Sequence, residues 1–181
     1  MVTINDRIAT AVDHRDLGGV RSSGEFGSIL HEMFDPETQT RFEWQRLEKW
    51  HGHVTNVFSC TVLQSLSHYD IHDDATGRHA VVGYHGLIHA DVKTNMVTHI
   101  IMDCDISVDF PIRQVNLLID YDSQQLSNQD FLLPSKFVLT SRTGKQLSKD
   151  TTEFRLYHKY SADETIIFDA VEPAPPVKKQ P

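Results

Sequence analysis

Residues 79–91 (HAVVGYHGLIHAD) and 96–107 (MVTHIIMDCDIS) alternate apolar and polar side chains at a period of two, and Val92-Lys93-Thr94-Asn95 between them has the composition of a hairpin turn. This pair decides the fold class, because that period belongs to half-buried strands and a short polar break joins such strands antiparallel. Upstream, Val54 to His72 repeats the pattern before the turn Asp73-Asp74-Ala75-Thr76-Gly77, and Phe42 and Trp44 mark an earlier strand. Downstream, Pro111 opens a strand in which Val115, Leu117, Ile119 and Tyr121 share one face. Phe131 to Ser141, Leu147 to Tyr160 and Thr165 to Phe168 complete the series, with turns near Ser127-Asn128 and Thr143-Gly144. Pro134 inside its strand predicts an edge or a bulge.

Ahead of the strands, Val2 to Ile4 is a short strand candidate, and Asn5-Asp6 and Gly18-Gly19 read as loop. Ser22 and Glu25 have capping-box spacing, in which hydroxyl and carboxylate satisfy open amides of a first helical turn. Phe26, Ile29, Leu30, Met33 and Phe34 then form one apolar stripe, and Asp35-Pro36 ends it. The spacing predicts a helix lying with that stripe on the sheet, His31 and Glu32 facing away. Eight or so strands and one main helix make an α+β architecture: a strongly curved antiparallel sheet, an incomplete β-barrel, with the helix packed on its concave face. The expected domain runs over 1–169, followed by a proline-rich, disordered tail over 170–181.

The chain has 181 residues, 39% of them apolar, which suits one domain with a core. A formal charge of −8, with Lys178-Lys179 as its one local basic cluster, repels phosphate backbones, so nucleic acid is excluded as a partner. No apolar run approaches the roughly 20 residues of a membrane span, and the first residues lack a signal-peptide layout. In a meander, Cys60 falls opposite about Asp91 and Cys104 opposite about Gly83, anchor points separated by about 26 Å along the middle strand at the usual rise. A disulfide needs Cα atoms within about 7 Å, so both thiols are expected free and mostly buried.

Eleven histidines raise the question of metal. His68/His72 and His85/His89 are four apart, about 13 Å on a strand, too far for one ion. Across the Asp73 to Gly77 hairpin, His72 comes near His79 and His68 near His85, on the side of Asp70: a surface imidazole cluster or solvated positions. His51 and His53, two apart on a strand, would point the same way but lack a third ligand. Asp103 and Asp105 share a strand face, and with Asp109 read as solvated carboxylates rather than a calcium site. Gly24 and Gly27 read as close packing of the helix. Nucleophile-elbow, zinc-protease and phosphate-loop motifs are absent, so the residues name no catalytic group, metal or cofactor. On the apolar side, Phe58, Cys60, Val62 and Leu66, then Val81 and Leu87, then Ile100, Met102 and Cys104 are expected on a common face, either plain core or an adaptable apolar cleft.

Ser23-Gly24-Glu25-Phe26-Gly27-Ser28 with Phe34, then Val82-Gly83-Tyr84-His85-Gly86-Leu87-Ile88, Asp109-Phe110-Pro111-Ile112, Leu132-Leu133-Pro134-Ser135, and Thr152-Glu153-Phe154-Arg155-Leu156-Tyr157-His158-Lys159-Tyr160 resemble, in this order, a family of uncharacterised exported bacterial proteins from Val2 to Asp169. The later half also resembles the periplasmic outer-membrane lipoprotein carriers and related lipoprotein-sorting proteins. The resemblance implies an open, strongly curved barrel whose concave side receives acyl chains, and a periplasmic or otherwise exported, non-enzymatic protein binding an apolar or acylated ligand. Phe26, Leu30, Phe34, Phe58, Ile100 and Met102 would line the site between helix and sheet. The rival readings are a ligand-free structural or interaction module of the cell envelope and a metal-dependent hydrolase using the histidines. Members of the exported family carry an export signal and further strands before the segment matched by Met1 to Asn5. The chain is therefore expected to be a shortened form with an exposed sheet edge open to oligomerisation.

Overall fold

A computed structural model describes residues 2–4, 7–9, 20–21, 28–126 and 128–157. Its strands are β1 (Val2–Ile4), β2 (Arg7–Ala9), β3 (Val20–Arg21), β4 (Arg41–Trp50), β5 (His53–Val62), β6 (Asp70–Asp73), β7 (Arg78–Val81), β8 (Gly83–Asp91), β9 (Val97–Asp105), β10 (Ile112–Leu126), β11 (Gln129–Thr143) and β12 (Gln146–Glu153), with helix α1 at Ser28–Phe34. Seven form one sheet in the order β12-β11-β10-β9-β8-β5-β4, every neighbouring pair antiparallel. β3-β6-β7 and β1-β2 form two small sheets. A sheet-dominated α+β fold is therefore present, and among the described residues its main sheet is open, with β4 and β12 as edges. β2 and β3 fall where a loop was expected.

The largest departure from the sequence reading is a break between Val62 and Asp70. The chain leaves the main sheet through a 3₁₀ turn at Gln64–Leu66, and Asp70 begins the small sheet instead of prolonging one long strand. In that small hairpin Asp70 pairs with Val81 and His72 with His79, as expected. Continued unbroken, the same register would set Cys60 opposite Asp91; Cys60 pairs instead with Gly86, a slip of five positions. Five is odd, so every β8 side chain exchanges faces. Leu87 consequently points away from the core face, Val81 belongs to the small sheet, and Leu66 sits in the turn. The true partners of Cys60 and Val62 on the core face are Tyr84, Gly86 and Ile88. With Ile100 and Met102, Leu117 and Ile119, and Phe137 and Leu139, they form one continuous buried layer.

Helix α1 closes this layer with Ile29 and Met33, one turn apart and both buried. Leu30 is half-buried, whereas Phe34 is 56% exposed, its ring stacked at 5.2 Å on Phe42 of β4. His31 faces outward as expected, but Glu32 does not: its carboxylate accepts a hydrogen bond from the His68 amide at 2.7 Å and lies 3.3 Å from His68 Nδ1. Glu32 stands three residues after Ile29, which places it at the margin of the buried stripe, beside the chain leaving β5. Asp35 and Pro36 end the helix by opening a 3₁₀ turn, Asp35 Oδ1 accepting from the Glu37 amide at 2.9 Å. The capping-box pair, Phe26, the strand candidate at 165–168 and the tail lie outside the described residues.

Pro134 pairs with Tyr121 beside a bulge at Ser135, and β12 reaches only as far as Lys136, so among the described residues no neighbouring strand asks Pro134 for an amide proton. β12 ends at Glu153, short of the expected Tyr160. Cys60 and Cys104 are free. They pair with Gly86 and Tyr84 from opposite sides of β8, two strand spacings of about 4.8 Å apart, so separation across strands, not along one, keeps them apart. Burial pushes the Cys60 thiol up to about 11, and burial with Asp103 and Asp105 nearby pushes Cys104 up to about 12.

Candidate functional site

One end of the sheet gathers the tips of three hairpins. β4 and β5 are joined by His51-Gly52, both at positive φ (44° and 88°), a two-residue primed turn closed by the pair Trp50 and His53. His51 and His53 therefore do not share a strand face: His51 stacks on Trp50 at 4.6 Å, while His53 Nδ1 lies 3.3 Å from Asp91 Oδ2. Asp91 organises the β8–β9 turn, its Oδ1 accepting from the amides of Lys93 (2.8 Å) and Thr94 (2.9 Å). Those bonds, the Thr94 amide foremost, hold its carboxyl below the usual range.

On the face away from α1, Val57, His89, His99 and Asp120 form one cross-strand row through β5, β8, β9 and β10. All four are buried, His99 to 1% exposure. His99 Nδ1 meets Asp120 Oδ1 at 2.6 Å and, facing a carboxylate, donates. His89 Nδ1 lies 3.5 Å from the Thr55 hydroxyl, and the two imidazoles meet edge to face at 5.1 Å. Trp50 reaches over from the edge hairpin and stacks on His99 at 4.1 Å, sealing the row. The sequence reading missed His99 and Asp120. No symmetric reading of the β8–β9 hairpin pairs the histidines: the turn over Val92 to Asn95 sets His89 opposite Thr98, and an irregularity at Thr98 brings His99 opposite His89 instead. Nothing local marks Asp120.

Next to this row lies a cleft of about 430 Å³. Trp50, Met96, Tyr121 and Leu132 give it apolar walls, and His53, Asp91, Lys93, Asp122 and Asp130 stand among its polar lining. Two lining residues hold buried polar atoms without a partner among the described residues, Trp50 Nε1 and the Tyr121 hydroxyl. Burial pushes that tyrosine's titration upward, which keeps the hydroxyl protonated.

The residues expected to line a helix–sheet site are distributed differently. Ile100 and Met102 are fully buried in the core layer, Leu30 and Phe58 are half-buried and Phe34 is largely exposed; none of these five lines the 430 Å³ cleft, and Phe26 lies outside the described residues. Of the expected imidazole cluster, His72 and His79 do come together, their rings stacked at 5.4 Å with Asp70 Oδ2 at 2.9 and 3.4 Å. His68 and His85 do not, each being held by its own carboxylate, Glu32 and Asp105. Asp103 is bound by Asn116. Among the described residues no group of three or more such side chains is placed to hold a metal. Among them, too, no helix is long and apolar enough to cross a membrane. Compared with protein-family profiles, curated proteins and solved structures, the chain matches none.

The buried row carries a pH signature. Burial first, and the neighbouring His99 second, lower the pKa of His89 below its ordinary 6.5. Between that value and the lower folded one the unfolded chain binds the extra proton, so stability is complete above about pH 6.5 and declines as pH falls. Urea midpoints should therefore drop from pH 7.5 to 5.5, and His89→Phe should flatten the drop. An unchanged pH slope in that variant would contradict this role.

Proposed function

We propose that this protein is a non-enzymatic, extracytoplasmic binding protein for an apolar or acylated ligand, with the apolar part of the ligand held in the cleft where the hairpin tips meet. The observation that carries this reading is the cleft itself: its volume falls within the roughly 300–1,000 Å³ of small-molecule sites, and apolar walls meet a few polar groups there. Lys93 and His53, on the polar lining, supply donors for an oxygen-bearing head group. The aspartate–histidine pair beside it is shut under Trp50, so it serves the packing of the sheet rather than a reaction. The motif order shared with exported proteins, and the likeness of the later half to lipoprotein carriers, support a curved half-barrel and an exported setting.

The chain has two tryptophans, Trp44 and Trp50, so a Trp44→Phe background leaves Trp50 as the reporter. Titration with dodecanoate is expected to change Trp50 emission saturably. Leu132→Glu, placing a charge on the apolar wall, should weaken binding about tenfold or more. A flat or unsaturable response from folded protein would overturn the reading.

A further inference from the structure

We propose that the outer edge of β4 is a homodimer interface, in which two copies pair β4 with β4 antiparallel about a two-fold axis, Phe42 opposite Leu47 of the other copy. The seven-stranded sheets would then run on into each other. This inference stands apart from the ligand reading, since it uses the edge ladder of β4 rather than the cleft.

Among the described residues, no strand pairs with the outer side of β4, although the strand is ten residues long and contains no proline. Its outward backbone groups follow from the hairpin that makes it. The closing pair of a two-residue turn, Trp50 and His53, exchanges both hydrogen bonds, and the pairs then alternate. Glu48 and Arg46 accordingly direct their backbone toward β5, Leu47 and Lys49 outward. Beyond the irregularity at Gln45, Glu43 again faces β5, and Phe42 and Trp44 face out. The hydroxyls of Thr55 and Ser59 on β5 reach the Glu48 and Glu43 carbonyls at 3.1 and 3.4 Å, in agreement with this alternation.

The side chains divide as cleanly. On the face away from α1 the strand carries Arg41, Glu43, Arg46 and Glu48, paired along the strand at 2.9 Å (Arg41–Glu43) and 2.6 Å (Arg46–Glu48). On the other face stand Phe42, Trp44 and Leu47, all exposed and extended by Phe34 stacked on Phe42. The charge order along the strand is plus, minus, plus, minus. Read in reverse it is its own complement, which makes a second copy the fitting partner.

Two central registers align outward backbone groups with outward backbone groups. With Phe42 opposite Leu47, Arg41 meets Glu48 and Glu43 meets Arg46, each twice by symmetry, and the apolar stripes of both copies join on the opposite face. With Trp44 opposite Leu47, Glu43 meets Glu48 twice. Opposite like charges destabilise a sheet pair, so the first register is selected.

Sedimentation of the full chain at 10–100 µM is the test, those concentrations being about those at which a modest dimer shows. The expected result is a dimer whose dissociation constant rises about tenfold or more in Arg46→Glu. It should recover to within about threefold of the unmodified value when Glu43→Arg is added. Leu47→Pro, which removes an outward amide and leaves the β5 ladder intact, should also yield monomer. Urea midpoints near the unmodified value show that the single charge variant has folded. An unmodified chain that is monomeric throughout, a dimer indifferent to Arg46→Glu, or a double variant that fails to recover would each overturn the proposal.

Discussion

Replacing Gly86 with alanine is expected to lower the folding free energy by about 3 kcal/mol or more, the loss typical of overpacking where the surroundings cannot yield. Gly86 lies in the middle of β8, between Cys60 on β5 and Met102 on β9. A Cβ there would stand 1.9 Å from the Ile101 carbonyl oxygen, 2.9 Å from its carbon and 3.0 Å from the Met102 Cα. All three are backbone atoms of β9, so no side chain can swing aside to make room. Relief requires β8 and β9 to part, and each is tied on its far side, to β5 and to β10. For a chain of this size the loss corresponds to a fall in Tm of about 10 °C. Gly77→Ala is the comparison, because Gly77 has positive φ (68°) but nothing within 4 Å of the added carbon. Its cost is backbone strain alone, about 1 kcal/mol. Equal losses for the two variants, by urea denaturation, would refute the close approach of β8 and β9.

Gly86 also marks where the sequence was legible and where it was not. Alternation and the two polar breaks located β9 and the β6–β7 hairpin, whose register came out as read because the turn that sets it is local, but Val54 to His72 and His79 to Asp91, each read as one strand, are two strands apiece, divided between two sheets. Cys104 was expected opposite Gly83 and pairs with Tyr84, one position away. The exit of the chain after Val62 was hidden because Leu66 falls in phase with Phe58, Cys60 and Val62 and no glycine or proline interrupts the stretch. What makes the exit feasible is distant in sequence: Gly83, whose missing Cβ leaves room for the Gln64 amide and Val62 carbonyl, sites where a side-chain carbon would stand at 2.8 and 2.9 Å. That single detour carried an odd slip, and with it the placement of Val81 and Leu87 on the wrong side. The helix stripe was legible in Ile29 and Met33, while Phe34 found its partner on β4 rather than in the core. The cleft was not legible, since its walls come from three hairpin tips that only the assembled sheet brings together.

Asp120→Leu is expected to cost about 3 kcal/mol, because it removes one partner from a buried pair and strands the other. His99 is 1% exposed and roofed by Trp50, so no water can replace the carboxylate that now accepts from Nδ1 at 2.6 Å. The loss comes from the orphaned ring nitrogen more than from the bond itself. Removing that nitrogen as well should restore part of the stability: the double variant His99→Leu/Asp120→Leu is expected to be more stable than Asp120→Leu alone, by about 1 kcal/mol or more. Asp120→Asn retains an oxygen acceptor and should fall between the single apolar variant and the unmodified chain. Trp50 reports on the same site, since His99→Leu takes the imidazole from beneath its ring and should change its emission in a Trp44→Phe background. Urea denaturation of the four variants, the single His99→Leu included, separates the accounts. If Asp120→Leu costs less than about 1 kcal/mol, or if the double variant is simply the sum of two losses, then the row from Val57 to Asp120 is ordinary packing, and Trp50 is held over it by contact area rather than by an imidazole that the aspartate keeps in place.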